Sequence, residues 1–234
     1  LLHHGSFSAP TADECLERIN ARLSAGAEFL AAADRIIVTF GTSYVYRLKG
    51  TRFVVGNCHK MPDSYFRRER LSVDKVVHRW NLLLDSMVRR RPEVKWIFTV
   101  SPVRHLRDGA HENNLSKSVL LLAIEKIISH YPTIANYFPA YELMMDELRD
   151  YRFYAEDMCH PSSAAVRYIG DRFESTYMDA KTIAWLRRAE AIHRDLQHQP
   201  FRPDSEAHRR FLVQTKLKQD QLRAELPTPP TFAR

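Results

Sequence analysis

Asp157 and His160 stand three residues apart in the segment Glu156-Asp157-Met158-Cys159-His160-Pro161-Ser162. At that spacing in a loop, the carboxylate can accept the imidazole Nδ1–H. That fixes the ring tautomer and leaves Nε2 free as a general base. Asp-x-x-His alone is a common pattern, and a surface histidine beside a helix-capping neighbour would be spelled the same way. Position gives the pair its weight. It follows the last strand-and-helix unit of the chain and directly precedes Pro161-Ser162, where Ser162 can cap a helix. Three other polar segments follow apolar runs: Gly41-Thr42-Ser43, Gly56-Asn57-Cys58-His59-Lys60 and Ser101-Pro102-Val103-Arg104-His105. Loops that leave the carboxyl ends of parallel strands converge on one edge, where ligands bind. The four segments are therefore candidates for a single site.

Each side chain in these loops also has a plainer account. His59 and Lys60 suit an anionic substrate group, or they simply close a hairpin with polar residues. Arg104, His105 and Arg107 could recognise a sugar or a carboxylate, for which guanidinium offers a bidentate fork; solvated charges would look alike. Glu112, Asn113 and Lys117 would orient the loop before them, or merely begin a helix. Eleven histidines raise the question of a metal. No His-x-x-x-His pair has a Glu nearby, and the adjacent His3-His4 cannot share one ion as helix ligands. Cys58-His59 and Cys159-His160 could converge on zinc, yet each reads equally as a small cysteine beside a polar histidine. No metal and no other cofactor is expected. A Cys159 nucleophile is disfavoured, because neighbouring loop residues point apart.

The elements that must hold these loops show in the apolar pattern. Thr11 and Glu14 form a capping-box spacing, after which Ile19, Leu23, Ala27 and Leu30 recur at helical spacing up to Asp34. Arg35–Phe40 is short, β-branched and stopped by Gly41, as a parallel strand buried on both faces reads. Tyr44-Val45-Tyr46 and Phe53-Val54-Val55 flank Lys49-Gly50 as a hairpin. A helix capped by Ser72 sets Val73, Val76, Val77, Trp80, Leu83, Leu84, Met87 and Val88 on one face, and Arg89-Arg90-Arg91 suit its negative end. Lys95–Val100 reads as a second buried strand. A third helix spans about 112–130 with Leu115, Val119, Leu122, Ala123 and Ile127 inward. Ala135–Pro139 is a last short strand, followed by a helical Tyr141–Arg149 and a helix using Val166, Ile169, Phe173 and Tyr177. Strands alternating with helices predict an α/β fold, a parallel sheet with helices on both faces. Residues 1–180 form this domain. Residues 181–234 form a helical extension, about 181–197 and 204–226, broken at Pro200 and Pro203.

The chain has 234 residues, 44% hydrophobic and 27% charged, with 7 Gly and 12 Pro. Such a composition supports a real core and excludes collagen-like or low-complexity chains. No apolar run is long enough to cross a bilayer, and no basic-then-apolar signal opens the sequence. Three cysteines suit a reducing cytoplasm better than a disulfide scaffold. Of the net charge of +7, residues 181–234 supply five through 11 basic against 6 acidic residues. The main body is thus nearly neutral, and the tail reads as a solvated helix or an acidic-partner surface rather than a nucleic-acid reader. Two or three parallel strands are few for this length. With Leu at position 1, this points to a first strand upstream.

Phe40-Gly41-Thr42, Val100-Ser101-Pro102 and Asp157-x-x-His160 resemble the later sequence blocks of the SGNH/GDSL hydrolases. More specifically, the chain resembles the GSCFA family, an SGNH-like group, over nearly its whole length. Thr39-Phe40-Gly41-Thr42, Asn57-Cys58-His59-Lys60, the stretch Ser101 to Gly109 and the stretch Tyr141 to Tyr154 carry the resemblance, with His3-His4 and Ser6-Phe7-Ser8 ahead of them. It implies a three-layer α/β/α, flavodoxin-like sheet whose first strand, bearing the Gly-Ser nucleophile motif, lies before Leu1. Gly5-Ser6-Phe7 does not replace it, since no strand precedes Ser6 to hold a nucleophile elbow. The resemblance further implies a Ser-His-Asp esterase or acyl-transfer enzyme with His160 and Asp157 as base and orienter. Its oxyanion donors would lie at Gly41 and Ser43. Ser43 stands where the wider group has Asn, so Asn57 is a replacement donor. His59, Lys60, Arg104 and His105 would contact the substrate, an acylated small molecule or glycan. A non-catalytic glycan- or protein-binding domain on the same fold is the competing expectation.

Overall fold

The computed structural model describes residues 2–202 and 204–226. Pro203, one of the two prolines expected to break the terminal helices, and the tail beyond 226 lie outside them. The described chain is mixed α/β. A helix α1 (Ala12–Ala32) begins where Thr11 Oγ1 accepts the Glu14 amide proton at 3.3 Å. Strand β1 (Arg35–Phe40) follows, then β2 (Tyr44–Leu48), β3 (Val54–Val55) and β4 (Phe66–Arg70). Helix α2 (Val73–Arg90), strand β5 (Lys95–Val100), helix α3 (Ala110–His130) and strand β6 (Ala135–Tyr137) complete the alternating part.

The parallel sheet runs in the order β1-β5-β6, with Arg35 opposite Lys95 and Phe40 opposite Val100. Successive crossovers step in the same direction along this sheet, so α2 and α3 pack side by side on one face. There Leu84, Phe98, Val100, Leu120, Ile124 and Ile127 are almost fully excluded from water. Burial of a side chain of that kind contributes about 1.5–3 kcal/mol. On the other face Ile97 and Thr99 are buried, whereas Ile37 of β1 is 54% exposed. β1 is an edge strand. Asp34 and Phe40 accept from Lys95 and Ser101 across the ladder, so the alternating residues 35, 37 and 39 turn their backbone groups outward.

Three sequence expectations change. First, β4 joins β2 and β3 in a separate antiparallel sheet of order β3-β2-β4. Phe66-Arg67-Arg68-Glu69-Arg70 is too charged to read as a strand, yet β2 pairs with all five of its residues. Second, the inward stripe of α3 is Asn113, Ser116, Lys117, Leu120, Ala123, Ile124 and Ile127, while Leu122 is 59% exposed. Ala123 and Ile127 are buried as expected, but polar residues occupy the start of the buried stripe, so apolar spacing alone misplaces its first turns. Third, no residue of α1 is buried, and Leu23 stands 59% exposed.

After β6, a short helix α4 (Ala140–Glu142) opens into a π-turn over Leu143–Glu147, in which Leu148 N donates to Leu143 O. Helix α5 (Ser163–Tyr177) follows, its Ala165 amide proton accepted by Ser162 Oγ. The chain divides into two compact units between Ile169 and Gly170. In the second, α6 (Ala180–Gln197) and α7 (Glu206–Glu225) form a helical hairpin closed over Ile192, Thr215 and Leu222. Among the described residues, no helix is long and apolar enough to cross a membrane.

Candidate active site

The Asp157 loop is built by its own hydrogen bonds. Asp157 Oδ1 accepts the amide protons of Cys159 and His160, each at 2.9 Å, and Oδ2 meets His160 Nδ1 at 2.5 Å. The two amide donors and the imidazole hold the carboxyl down at about 2, so Asp157 is ionised at any ordinary pH. It therefore accepts a hydrogen bond from Nδ1–H, and in the neutral ring that leaves Nε2 as an acceptor with no partner among the described residues. The imidazole is 62% exposed. Met158, between the two, takes φ +57°, the left-handed turn that folds the loop back.

This loop is tied to the tip of β5. Arg104 N donates to Cys159 O at 3.1 Å, and its guanidinium reaches Met158 O and, at 2.8 Å, the Tyr154 hydroxyl. The same guanidinium lies 4.1 Å over the Tyr154 ring. His105 is held by its amide on Asn113 Oδ1, and its ring lies against Gly41 at the tip of β1. Burial lowers the His105 pKa, and the positive charge of Lys117, of His160 when it is protonated, and of Arg68 lowers it further. His105, His160 and the tips of β1 and β5 are thus one neighbourhood.

Lys117 fastens the two tips together. It is 1% exposed, and Nζ donates to Gly41 O and to Ser101 O, both at 2.6 Å. Burial pulls its pKa down to about 8. The sequence names Lys117 only as a residue that orients a loop. A sharper signal is its spacing: it falls three and seven residues before Leu120 and Ile124, on the stripe that packs under the sheet.

Ser43 is 2% exposed and faces inward. Its amide and its hydroxyl both donate to Ser116 Oγ, at 2.8 and 3.0 Å. With both lone pairs used, the Ser116 hydroxyl donates to Thr42 Oγ1, at 3.0 Å. Thr42 Oγ1 also accepts the Tyr44 amide, which fills its lone pairs and leaves its own proton unspent. At the β1 tip, the available hydroxyl donor is therefore Thr42 and not Ser43.

Asn57, His59 and Lys60 lie in the loop after β3. Asn57 Oδ1 accepts the His59 amide at 2.8 Å, and His59 and Lys60 take φ of +50° and +58°. No hydrogen bond joins this turn to the Asp157 loop among the described residues. The turn is instead pressed on the N-terminal segment: a Cβ at Gly56 would stand 2.7 Å from Leu2 O, so only glycine fits there. Ser6 sits in a single 3₁₀ turn, bonded to His4 Nδ1 at 3.0 Å. Among the described residues, no three His, Cys, Asp or Glu side chains come together around one ion position.

Two clefts open beside Arg104. One, about 440 Å³, is lined by Pro102, Leu106, Asn113, Tyr141 and Met145. The other, about 430 Å³, lies between the strand tips and the antiparallel sheet, with Thr42, Tyr44, Tyr46, Arg68 and Arg107 on its walls. The antiparallel sheet is clamped to the start of α3. Tyr44 OH donates to Glu112 at 2.5 Å, Arg70 pairs with Glu112 at 2.7 Å, and Arg68 pairs with Asp108.

The profile of the GSCFA family matches residues 1–173, and that of the GSCFA domain protein, C-terminal domain, matches residues 189–229. No curated protein and no solved structure matches the chain.

Proposed function

The chain belongs to the GSCFA family, and from that premise we propose that it is an SGNH-like ester hydrolase or acyl-transfer enzyme. The observation that carries this reading is the Asp157–His160 pair, with Nδ1 held, Nε2 open and its loop hydrogen-bonded to the β5 tip. His160 would take the proton of an attacking serine, and Asp157 would stabilise the imidazolium that forms. The imidazolium then returns that proton to the departing alcohol. Water repeats the sequence on the acyl-enzyme, or another acceptor alcohol does so in a transfer.

In this reading the serine lies before Leu1, on a strand that adds to the open edge of β1 and completes the three-layer sheet. The oxyanion would be met at the β1 tip by backbone N–H near Gly41 and by the Thr42 hydroxyl. One such donor is worth about 3–4 kcal/mol of barrier. Acylated carbohydrate is the substrate class, by family analogy.

The test is hydrolysis of 4-nitrophenyl acetate by the protein with its nucleophile strand in place. His160→Ala should lower kcat by three orders of magnitude or more. Asp157→Asn should lower it on the order of 10⁴-fold, since the wrong tautomer is then favoured. Both residues are exposed, so circular dichroism should be unchanged. Full activity of His160→Ala would sink the assignment. One observation favours the second reading, a domain that binds a glycan or protein without cleaving it: Ser43 stands in the Asn position with both donors spent on Ser116. Glycan binding with no hydrolysis of any small acyl ester would establish it.

A further inference from the structure

We propose that the cleft between the strand tips and the antiparallel sheet binds an oxyanion group, carboxylate or phosphate, carried by the substrate. This deepens the ester reading and rests on it for the word substrate. The walls supply the donors. Arg104 and Arg107 use only two N–H groups each within the protein, and each has others left over from its fork. The Thr42 hydroxyl proton is unspent, and the Tyr46 hydroxyl accepts from Arg107, so its proton is also available.

The charges are not balanced. Arg68 is paired with Asp108, and Arg107 with Asp63. Arg104 has no carboxylate partner among the described residues. Behind it Lys117, fully buried, meets only two carbonyl oxygens. Against them stands Asp157 of the adjoining loop, a carboxylate with no Lys or Arg partner among the described residues. The two cations without counterions outnumber it and leave a positive field that a bound anion would neutralise. The Arg107–Asp63 pair does not oppose this. Asp63 is 78% exposed, and a pair so solvated contributes little and yields easily.

Two of the guanidinium groups on the walls are also held in place before any ligand arrives. Arg68 lies 3.8 Å over the Tyr44 ring and Arg104 is stacked on Tyr154, which removes rotamer freedom that binding would otherwise cost. His105 reports the field from the cleft wall: its lowered pKa reflects partial burial first, then Lys117, His160 when protonated, and Arg68. A negative group in the cleft would push it back up.

The experiment measures binding, not turnover. The His105 ring resonance is followed through pH with glycerol 3-phosphate or monomethyl succinate as probe, and with glycerol or dimethyl succinate as neutral counterparts. The expected result is saturable binding of the two anions only, with the His105 titration midpoint moving upward. Arg104→Gln and Arg107→Gln should each weaken binding about tenfold or more, the scale of one lost charge-assisted hydrogen bond; Lys126→Gln, on the outside of α3, should not. Arg107 is exposed, so its variant folds even if Arg104→Gln loosens the loop. Equal binding of the neutral compounds, an unmoved His105, or unaltered affinity in Arg107→Gln would overturn the proposal. Inorganic phosphate binding as tightly as glycerol 3-phosphate would also overturn it, by making this a free-anion site. An unchanged ester rate in His160→Ala would remove the ester reading without touching these affinities.

Discussion

Lys117 and Asp157 are pulled in opposite senses by their surroundings. Asp157 is exposed and gains amide donors, so its ionised form is favoured. Stability from that clamp is present above the ordinary carboxylate pKa, near 4, and fades as pH falls toward 2. Lys117 is buried without a counterion, so its charged form is disfavoured. Between pH about 8 and its ordinary value near 10.5, the unfolded chain holds a proton that the folded chain has released. Folding stability from this group must therefore rise with pH across that window. Urea midpoints at pH 7 to 10, compared between the native protein and Lys117→Met, should show the difference shifting in favour of the native protein as pH rises. A constant difference would mean that Lys117 keeps its ordinary pKa.

Among the elements, the bounds of β1 and β5 were legible to the residue, because a β-branched run stopped by Gly41 or Ser101-Pro102 has few other foldings. Burial on both faces holds for β5 and not for β1, an edge strand. The Asp157–His160 spacing was legible for a similar reason: both partners lie in one short loop. β4 was not, since its pairing with β2 depends on partners from elsewhere, Glu112 and Asp108, that accommodate Arg70 and Arg68. The later inward positions of α3, Ala123 and Ile127, are legible. Its first buried positions are not, because they carry Asn113, Ser116 and Lys117, whose partners come from the strand tips and the loop after β5. The start of α3 is therefore the element on which both sheets depend. Gly109, its N-cap, sits at φ +92° and ψ +165°, a region closed to side-chain-bearing residues at a cost of about 1–3 kcal/mol. Gly109→Ala should lower the urea-derived stability by that amount and should speed amide exchange in β4. Unchanged exchange there would show that the clamp does not couple the sheets.

At the scale of the whole molecule, the chain carries its charge and its burial in different places. The first unit holds the aromatic core around Phe98 and Trp96. The second relies on a thin seam, Ile192 against Thr215 and Leu222, framed by Arg188–Glu225 and Lys218–Asp195 ion pairs. Surface pairs of this kind add little each, so the seam must supply most of the hairpin's stability. Leu222→Ala should cost about 2–5 kcal/mol. By hydrogen exchange, the loss should appear across α6 and α7 while the amides of β5 stay protected. Loss of protection in β5 as well would show that the two units unfold together.

By itself the sequence determined the alternation of strand and helix, the loops that end the strands and the Asp157–His160 pair, because each is set by local spacing and backbone preference. Only the tertiary structure decided which polar residues lie inside. The burial of Lys117 on Gly41 and Ser101, the diversion of Ser43 to Ser116 and the meeting of Arg68 with Arg104 and Arg107 in one cleft all join segments far apart in the chain. A buried polar group is tolerated only where a partner arrives from elsewhere, and that arrival is a property of the fold.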